Sequence, residues 1–446
     1  MLVTLKYAYV RKYPYVIVLT LCCLLFGTFQ SATAQKLDSI ERQRAIDMLK
    51  TVKASLKQNY YDQTFRGMDI EARFKSAEEK LKQASSLGQA LGIIAQVLMD
   101  LDDSHAYFIP PDRSESIEYG WDMQMIGDKC YVVAVKPDSD AEKRGLKVGD
   151  LVRSVEGLAP TRNELWKMNY YYRWLSPRPS LQVVAQSPGG EPRQLDIAAK
   201  VTHSRRVLTS DENDDVFVRA AENEDRLDRH RFAKAESVIA WKMPNFDYEE
   251  TQADSIMSET VANRSALIMD LRGNGGGYVK TLERLAGNFF DHDVKIADLR
   301  GRKEMKPQLA KTRGKDIFNG KLIVLVDSDS GSSAEIFARL VQLEKRGIVI
   351  GDQSAGAVRQ ARGYSYDAGT RNVVSFGVSV TNADVIMSDG KSMEKVGVTP
   401  DELVIPSPED LAAGRDPVLA HAFELAGVKV DSATAGKMFP MEWKKT

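Results

Sequence analysis

Two short segments of this chain carry residue types whose spacing suits acyl transfer. Leu322-Ile323-Val324-Leu325-Val326-Asp327 reads as a buried strand, and it runs into Ser330-Gly331-Ser332-Ser333-Ala334-Glu335-Ile336-Phe337-Ala338. A serine on such a strand-to-helix corner sits at a helix N-terminus, its hydroxyl exposed and backbone N–H groups facing the same space. That geometry suits a nucleophile with half of an oxyanion hole. A second corner precedes it: Ala266-Leu267-Ile268-Met269-Asp270-Leu271, followed by Arg272-Gly273-Asn274-Gly275-Gly276-Gly277. Consecutive glycines let backbone approach a ligand closely and aim its N–H groups at one point. Together the corners suggest a serine hydrolase. Helix initiation offers a second reading, because Ser332-x-x-Glu335 ahead of an apolar run is also a capping box.

The strings Asp-Leu-Arg-Gly-Asn-Gly-Gly-Gly (270–277) and Ser-Gly-Ser-Ser-Ala-Glu-Ile (330–336) resemble the signatures of the C-terminal processing (tail-specific) serine peptidases. The resemblance implies Ser332 as nucleophile, with the backbone N–H groups of Ser333 and Gly276 as oxyanion donors. It also bears on the base, which a weak nucleophile such as a serine hydroxyl requires. The main branch of that family uses a lysine, and the matching position here is Ala357. Arg359 is no substitute, since a guanidinium does not deprotonate in proteins.

The other branch, resembling the tricorn core peptidase, takes a Ser-His pair from the end of its N-terminal helical domain. Ser104-His105 stands at that place, and an imidazole can both take a proton and pass it to a leaving amine. The same resemblance implies a late carboxylate, for which Glu394 in Glu394-Lys395-Val396-Gly397-Val398-Thr399-Pro400-Asp401 is the match. Its role would be to orient Ser104 or to stabilise the charged imidazole. Asp384 and Asp389 are rival carboxylates. Absence of the lysine keeps a second reading open, in which the chain binds peptides or apolar ligands without cleaving them.

Positioning these residues falls to three kinds of element. Ile46, Leu49, Val52 and Leu56 recur at helical spacing, as do Phe74, Ala77 and Leu81, then Leu91, Ile94, Ala95 and Leu98. These predict an N-terminal helical domain over 35–110, closed by Pro110-Pro111. Short strands such as Cys130–Val135 and Leu181–Ala185 predict a β domain over 119–201. Within it, Ser139 to Val152 resembles the helix, Gly-Leu turn and strand of a PDZ domain, a fold that binds peptide ends by strand addition. A charged, apolar-poor stretch over 202–236 reads as a solvated loop or linker. From 237 to 428 strands alternate with helices, which predicts a mostly parallel sheet. The resemblance implies a ClpP/crotonase-like α/β core there, with a tail over 429–446. The fold class expected is a multidomain α+β / α/β chain.

At 446 residues the chain suits two or three domains, and 43% hydrophobic with 28% charged residues is ordinary for a globular protein. A net charge of -1 points to no nucleic-acid partner. Lys6, Arg11 and Lys12, an apolar run from Tyr15 to Phe29 and Ala32-Thr33-Ala34 read as a secretory signal over 1–34, leaving Gln35 first. The apolar run is short for a membrane span, though an uncleaved anchor is the alternative. Export would place the protein in a periplasmic or extracellular space, with no stable membrane span after cleavage. Cys130 alone then remains, so no internal disulfide is expected. Neither a metal-ligand cluster nor a phosphate loop occurs, and no cofactor is expected. The expected partner is a polypeptide or peptide substrate; the number of assembled copies stays open.

Overall fold

The computed structural model describes residues 37–113, 115–203, 229–369 and 373–443. The expected signal over 1–34 and most of the charged stretch over 202–236 lie outside the described residues.

Three helices open the chain: α1 (Ser39–Asn59), α2 (Ile70–Gln83) and α3 (Leu87–Met99). Each begins at a side-chain cap, with Asp38, Asp69 and Ser86 accepting N–H groups of the first turn. At the far end of α1, Arg302 donates to the carbonyls of Lys57 and Gln58 at 2.8 and 3.1 Å, satisfying groups that a helix terminus leaves open. The apolar faces do not close a core by themselves. Leu49, Leu56, Leu91 and Leu98 pack with Phe108, Phe376, Val378 and Val380, which lie on strands of a later sheet. Helical region and sheet therefore share one core, and the segment between them, Leu101 to Ala106, is held from both sides.

Strand β1 (Tyr107–Ile109) follows at once. Next come β2 (Glu115–Glu118), β3 (Trp121–Ile126), β4 (Lys129–Val135), β5 (Leu151–Val155), β6 (Ser180–Gln186), β7 (Arg193–Ala198) and β8 (Lys200–His203). Strands β3 to β7 form an antiparallel sheet in sequence order, and β2 pairs with β8 where the chain enters and leaves this region. Its core is its own, built on Trp121, Val132, Leu146, Val183 and Ile197. Leu165–Asn169 and the wider turn Tyr170–Leu175 form a helix lying against it.

The remaining strands are β9 (Arg231–Ala235), β10 (Val238–Lys242), β11 (Ala266–Asp270), β12 (Val294–Gly301), β13 (Gln308–Ala310) and β14 (Lys321–Val326), then β15 (Ile348–Gly351), β16 (Arg359–Ala368), β17 (Val374–Met387) and β18 (Glu402–Leu403). The central sheet runs β18-β15-β14-β11-β10-β9, parallel throughout except for β9. Its inner strands are near-continuous apolar runs, as strands covered on both faces must be. One face meets the helices Val279–Ala286 and Ser333–Leu343, the other the helix Pro417–Leu425. The 429–446 tail adds a short helix, Ser432–Gly436. One boundary differs from expectation: 231–235, placed in the charged loop, is a strand. It folds back on β10 through Glu236-Ser237, where Glu236 takes a φ of +53°.

A second sheet runs β1-β17-β12-β13, with β16 also paired to β17. Through β1 and β17 it joins the helical region to the central sheet, with Tyr107 opposite Ser379 and Ile109 opposite Gly377. Among the described residues no helix is long and apolar enough to cross a membrane.

Candidate functional site

Strand β14 ends at Val326, and after the Asp327–Gly331 turn the chain enters the Ser333–Leu343 helix at Ser332. Ser332 takes φ +53° and ψ -119°, a strained combination for any residue with a Cβ. The strain has identifiable supports. Ser332 N–H donates to the carbonyl of Ala357 at 2.9 Å and to Glu335 Oε2 at 3.0 Å. Glu335 also accepts from Ser354 Oγ (2.5 Å), Gly356 N–H (2.8 Å) and Ala357 N–H (2.9 Å). Burial pushes its carboxyl up to about 7, while these four donors pull the other way by favouring the charged form. The capping-box arrangement anticipated for Ser332 and Glu335 is therefore present in its carboxylate half, and that half also ties the helix start to the 354–357 loop.

The helical region delivers the other half of the site. Ser104-His105 lies in the turn between α3 and β1. His105 Nε2 is 3.3 Å from Ser332 Oγ, and His105 Nδ1 is 2.8 Å from Ser104 Oγ. Ser104 Oγ donates to Glu394 Oε2 at 2.7 Å, and Ser104 N–H donates to Glu394 Oε1 at 3.0 Å. A hydroxyl has one proton; with Ser104's directed at the carboxylate, the 2.8 Å contact needs a proton on Nδ1. Nε2 then presents its lone pair to Ser332. Burial holds the imidazole below its ordinary value of 6.5; Glu394 and Asp103 pull it up, and Arg359 pushes it down.

Four residues named from sequence, Ser332, His105, Ser104 and Glu394, thus form one hydrogen-bonded series. The rivals stand elsewhere: Asp389 pairs with Arg339 at 2.7 Å, and Asp384 accepts from Ser392 at 3.0 Å. Of the remaining histidines with described side chains, His230 accepts from Trp241, His292 contacts Asp291 and His421 contacts Glu402.

The glycine corner is seated against Ser332. A Cβ on Gly276, whose φ is +101°, would come within 2.6 Å of Ser332 Cβ, so only glycine fits. Gly276 N–H, expected as an oxyanion donor, donates here to the buried Asn274 Oδ1 at 2.9 Å. Asn274 is itself fixed by donating to the Met243 carbonyl at 3.0 Å. Gly275 is the glycine that lines the adjoining cleft, and its N–H has no acceptor among the described residues. Ser333 N–H, at the first position of the helix, is likewise without one.

That cleft, of about 490 Å³, lies between the 115–203 region and the central sheet. Trp166, Tyr170 and Trp174 form one wall; Gly331 and the Gln353–Ala357 loop form the other, with Ser104 at its base. The two walls are latched. Gln124 Nε2 donates to Asp327 Oδ2 at 2.7 Å, Ser328 Oγ to the Met125 carbonyl at 2.6 Å, and Gly127 N–H to Asp352 Oδ2 at 2.8 Å. Arg162 adds an ion pair to Asp352 at 2.6 Å. The outer edge of β3 is consequently occupied at Met125, and the turn that follows it is held at Gly127.

The roles of Asp103, Arg359 and Asn274 are not visible in the sequence. All three are buried polar residues, and only their partners, far away in sequence, reveal what they do.

Residues 240–404 match the sequence profile of Peptidase family S41. A chloroplastic C-terminal processing peptidase from Tetradesmus obliquus is 25% identical over 406 residues, covering 86% of this chain and 80% of that protein. A protein described as a tricorn-like protease C-terminal subunit, from Sulfurisphaera tokodaii, is 24% identical over 396 residues. The match takes in 83% of this chain and 42% of that protein's length. Among solved structures, mature CPAF superposes with a TM-score of 0.62 at 14% identity, covering 83% of this chain and 94% of that one. At that identity the likeness is one of fold.

The Glu335 clamp generates a test. In Glu335→Gln an amide NH2 replaces an acceptor amid four donors, leaving buried N–H groups unsatisfied at a cost of about 1–3 kcal/mol. A lowered melting temperature is expected, together with loss of activity exceeding what unfolding accounts for. An unchanged melting temperature and rate would mean that Glu335 does not hold Ser332.

Proposed function

We propose that this chain, whose residues 240–404 match Peptidase family S41, hydrolyses polypeptides through an acyl-enzyme on Ser332, with His105 as general base. The observation that carries this reading is the unbroken contact series from Ser332 Oγ through His105 and Ser104 to Glu394. The chain is a serine-type peptidase, and its substrates are polypeptides.

The steps follow from the geometry. Ser332 Oγ attacks the scissile carbonyl carbon while His105 Nε2 takes its proton. The imidazolium that forms keeps donating Nδ1–H to Ser104 Oγ, whose own proton stays on Glu394, so the carboxylate stabilises the cation through the hydroxyl without taking a proton. Ser333 N–H, reinforced by the helix start, faces the oxyanion, and Gly275 N–H takes the place expected of Gly276. Collapse breaks the C–N bond, with the proton passing from Nε2 to the leaving amine. Water then attacks the acyl-serine by the same route in reverse roles.

The region over 115–203 we take as a PDZ-like module packed beside an α/β core of the ClpP/crotonase-like kind. Its β3 edge is engaged by the core, which supports a role as a wall that admits extended polypeptide more than capture by strand addition at that edge. The basic, apolar and small-residue succession over 1–34 supports export to a periplasmic or extracellular space. Intact-mass measurement of the protein purified from its native host tests this: a mature chain beginning at Gln35 is expected, and a retained N-terminus contradicts it.

Ser332→Ala and His105→Ala are each expected to lower cleavage of an unfolded protein by roughly a thousandfold or more, with the circular dichroism spectrum unchanged. Undiminished cleavage in either variant contradicts the assignment. Because burial holds His105 below 6.5, it stays neutral into mildly acidic solution; activity rises with pH through an apparent pKa below that value. An acid limb centred above 6.5 would oppose it.

A further inference from the structure

Beneath Ser104-His105 lie two carboxylates. Asp103 Oδ1 accepts the N–H of His105 at 3.0 Å, and Glu394 Oε1 accepts the N–H of Ser104 at 3.0 Å. Both anions favour a protonated imidazole, and a histidine already protonated is no base. Burial of the imidazole opposes them, and a cation adds to that. Arg359, only 7% exposed, stands between the two: its Nη1 donates to Asp103 Oδ2, and its Nε is 3.7 Å from Glu394 Oε1. Its guanidinium is 5.2 Å from the Tyr61 ring centroid, which holds its plane.

The other charged groups nearby do not supply this balance. Lys395, next to Glu394, is directed at Asp102 at 2.9 Å, and Asp384 adds a further carboxylate 4.0 Å from Arg359 Nε. Tyr60 and Thr381 reach Asp103 as neutral donors, at 2.8 and 2.7 Å. A guanidinium keeps its charge at every pH that the protein experiences.

The same short segment reaches every part of the site. Ala357 contacts Ser332 and Glu335, Val358 N–H donates to Glu394 Oε2 at 2.9 Å, and Arg359 ends on Asp103. With the imidazole neutral, one cation against Asp103 and Glu394, with Asp384 beyond them, leaves a net negative charge. Proton transfer from Ser332 reduces that charge, which favours the imidazolium when it forms during reaction. Without the guanidinium these carboxylates would be opposed by burial alone, and protonation of His105 ahead of reaction would extend to higher pH.

We propose that Arg359 is a positioning residue of this site: it fixes Asp103 and Glu394 under the Ser104-His105 turn and adds to burial in keeping the imidazole uncharged until the Ser332 proton arrives. The inference rests on His105 being the base.

The test is the pH dependence of kcat/KM on an unfolded protein substrate for the native enzyme, Arg359→Gln and Arg359→Lys, with melting temperatures measured alongside. In Arg359→Gln the acid limb is expected to move up by about one pH unit, as loss of a cation at this range implies, and the rate at pH 6 to fall more than the rate at pH 8. Arg359→Lys restores the charge without the fork, so the limb returns to its native place while the maximal rate stays reduced. A limb unmoved in Arg359→Gln, with only the melting temperature lowered, overturns the proposal and leaves Arg359 a structural ion pair. Should Arg359→Gln not fold, the Lys variant decides: a limb shifted upward despite the retained charge overturns it. Failure of the underlying base assignment looks different, because His105→Ala would then retain the native rate and acid limb.

Discussion

The site depends on one contact made across a great distance in sequence: the imidazole of His105 reaching the hydroxyl of Ser332. The turn bearing His105 must therefore be held rigidly against a corner that belongs to another part of the molecule. Backbone and side-chain bonds from both sides hold it. Asp103 and Glu394 take the N–H groups of His105 and Ser104, and Ser379 Oγ donates to the His105 carbonyl at 2.7 Å. Because the opening helices share their core with β17 instead of closing one of their own, no soft hinge separates the imidazole from the sheet that anchors it.

On the serine side the constraint is conformational. A residue with a Cβ held at φ +53° and ψ -119° costs about 1–3 kcal/mol, and persists only where its surroundings over-determine it. Here Ala357 and Glu335 bind its N–H, and Gly276 gives up any side chain so that Ser332 can sit against it. Glu335 shows how one residue satisfies two readings. It joins Ser332 in a helix start, as a capping residue would, and the same carboxylate gathers the loop that forms the cleft wall.

Much of this was legible in the sequence for simple reasons. Strands 266–270, 321–326 and 348–351 are uninterrupted apolar runs ended by small or polar residues, and runs of that kind have few other uses inside a protein. Ser332, Ser104-His105 and Glu394 were found through resemblance, and the fold brings all four together. The β16–β17 hairpin was only partly visible. Arg359–Ala368 reads as polar and β17 contains buried Ser379 and Thr381, residues that break an apolar pattern because they serve the Ser-His turn. From sequence Arg359 stands out only as no substitute for the lysine missing at Ala357. Its meaning comes from Asp103, 256 positions away, and no local pattern encodes such a pairing. The partner of the Gly276 N–H is hidden for a related reason: it is a side chain, that of Asn274, two residues earlier.

The central claim is that these contacts make Ser332 a nucleophile activated by His105. Reaction with a fluorophosphonate, followed by peptide mass mapping, measures that directly. The account predicts one adduct per chain, on Ser332, formed at least a hundredfold more slowly in His105→Ala, on the order of general-base contributions. An adduct on another serine, or labelling of Ser332 at the same rate without His105, would contradict it.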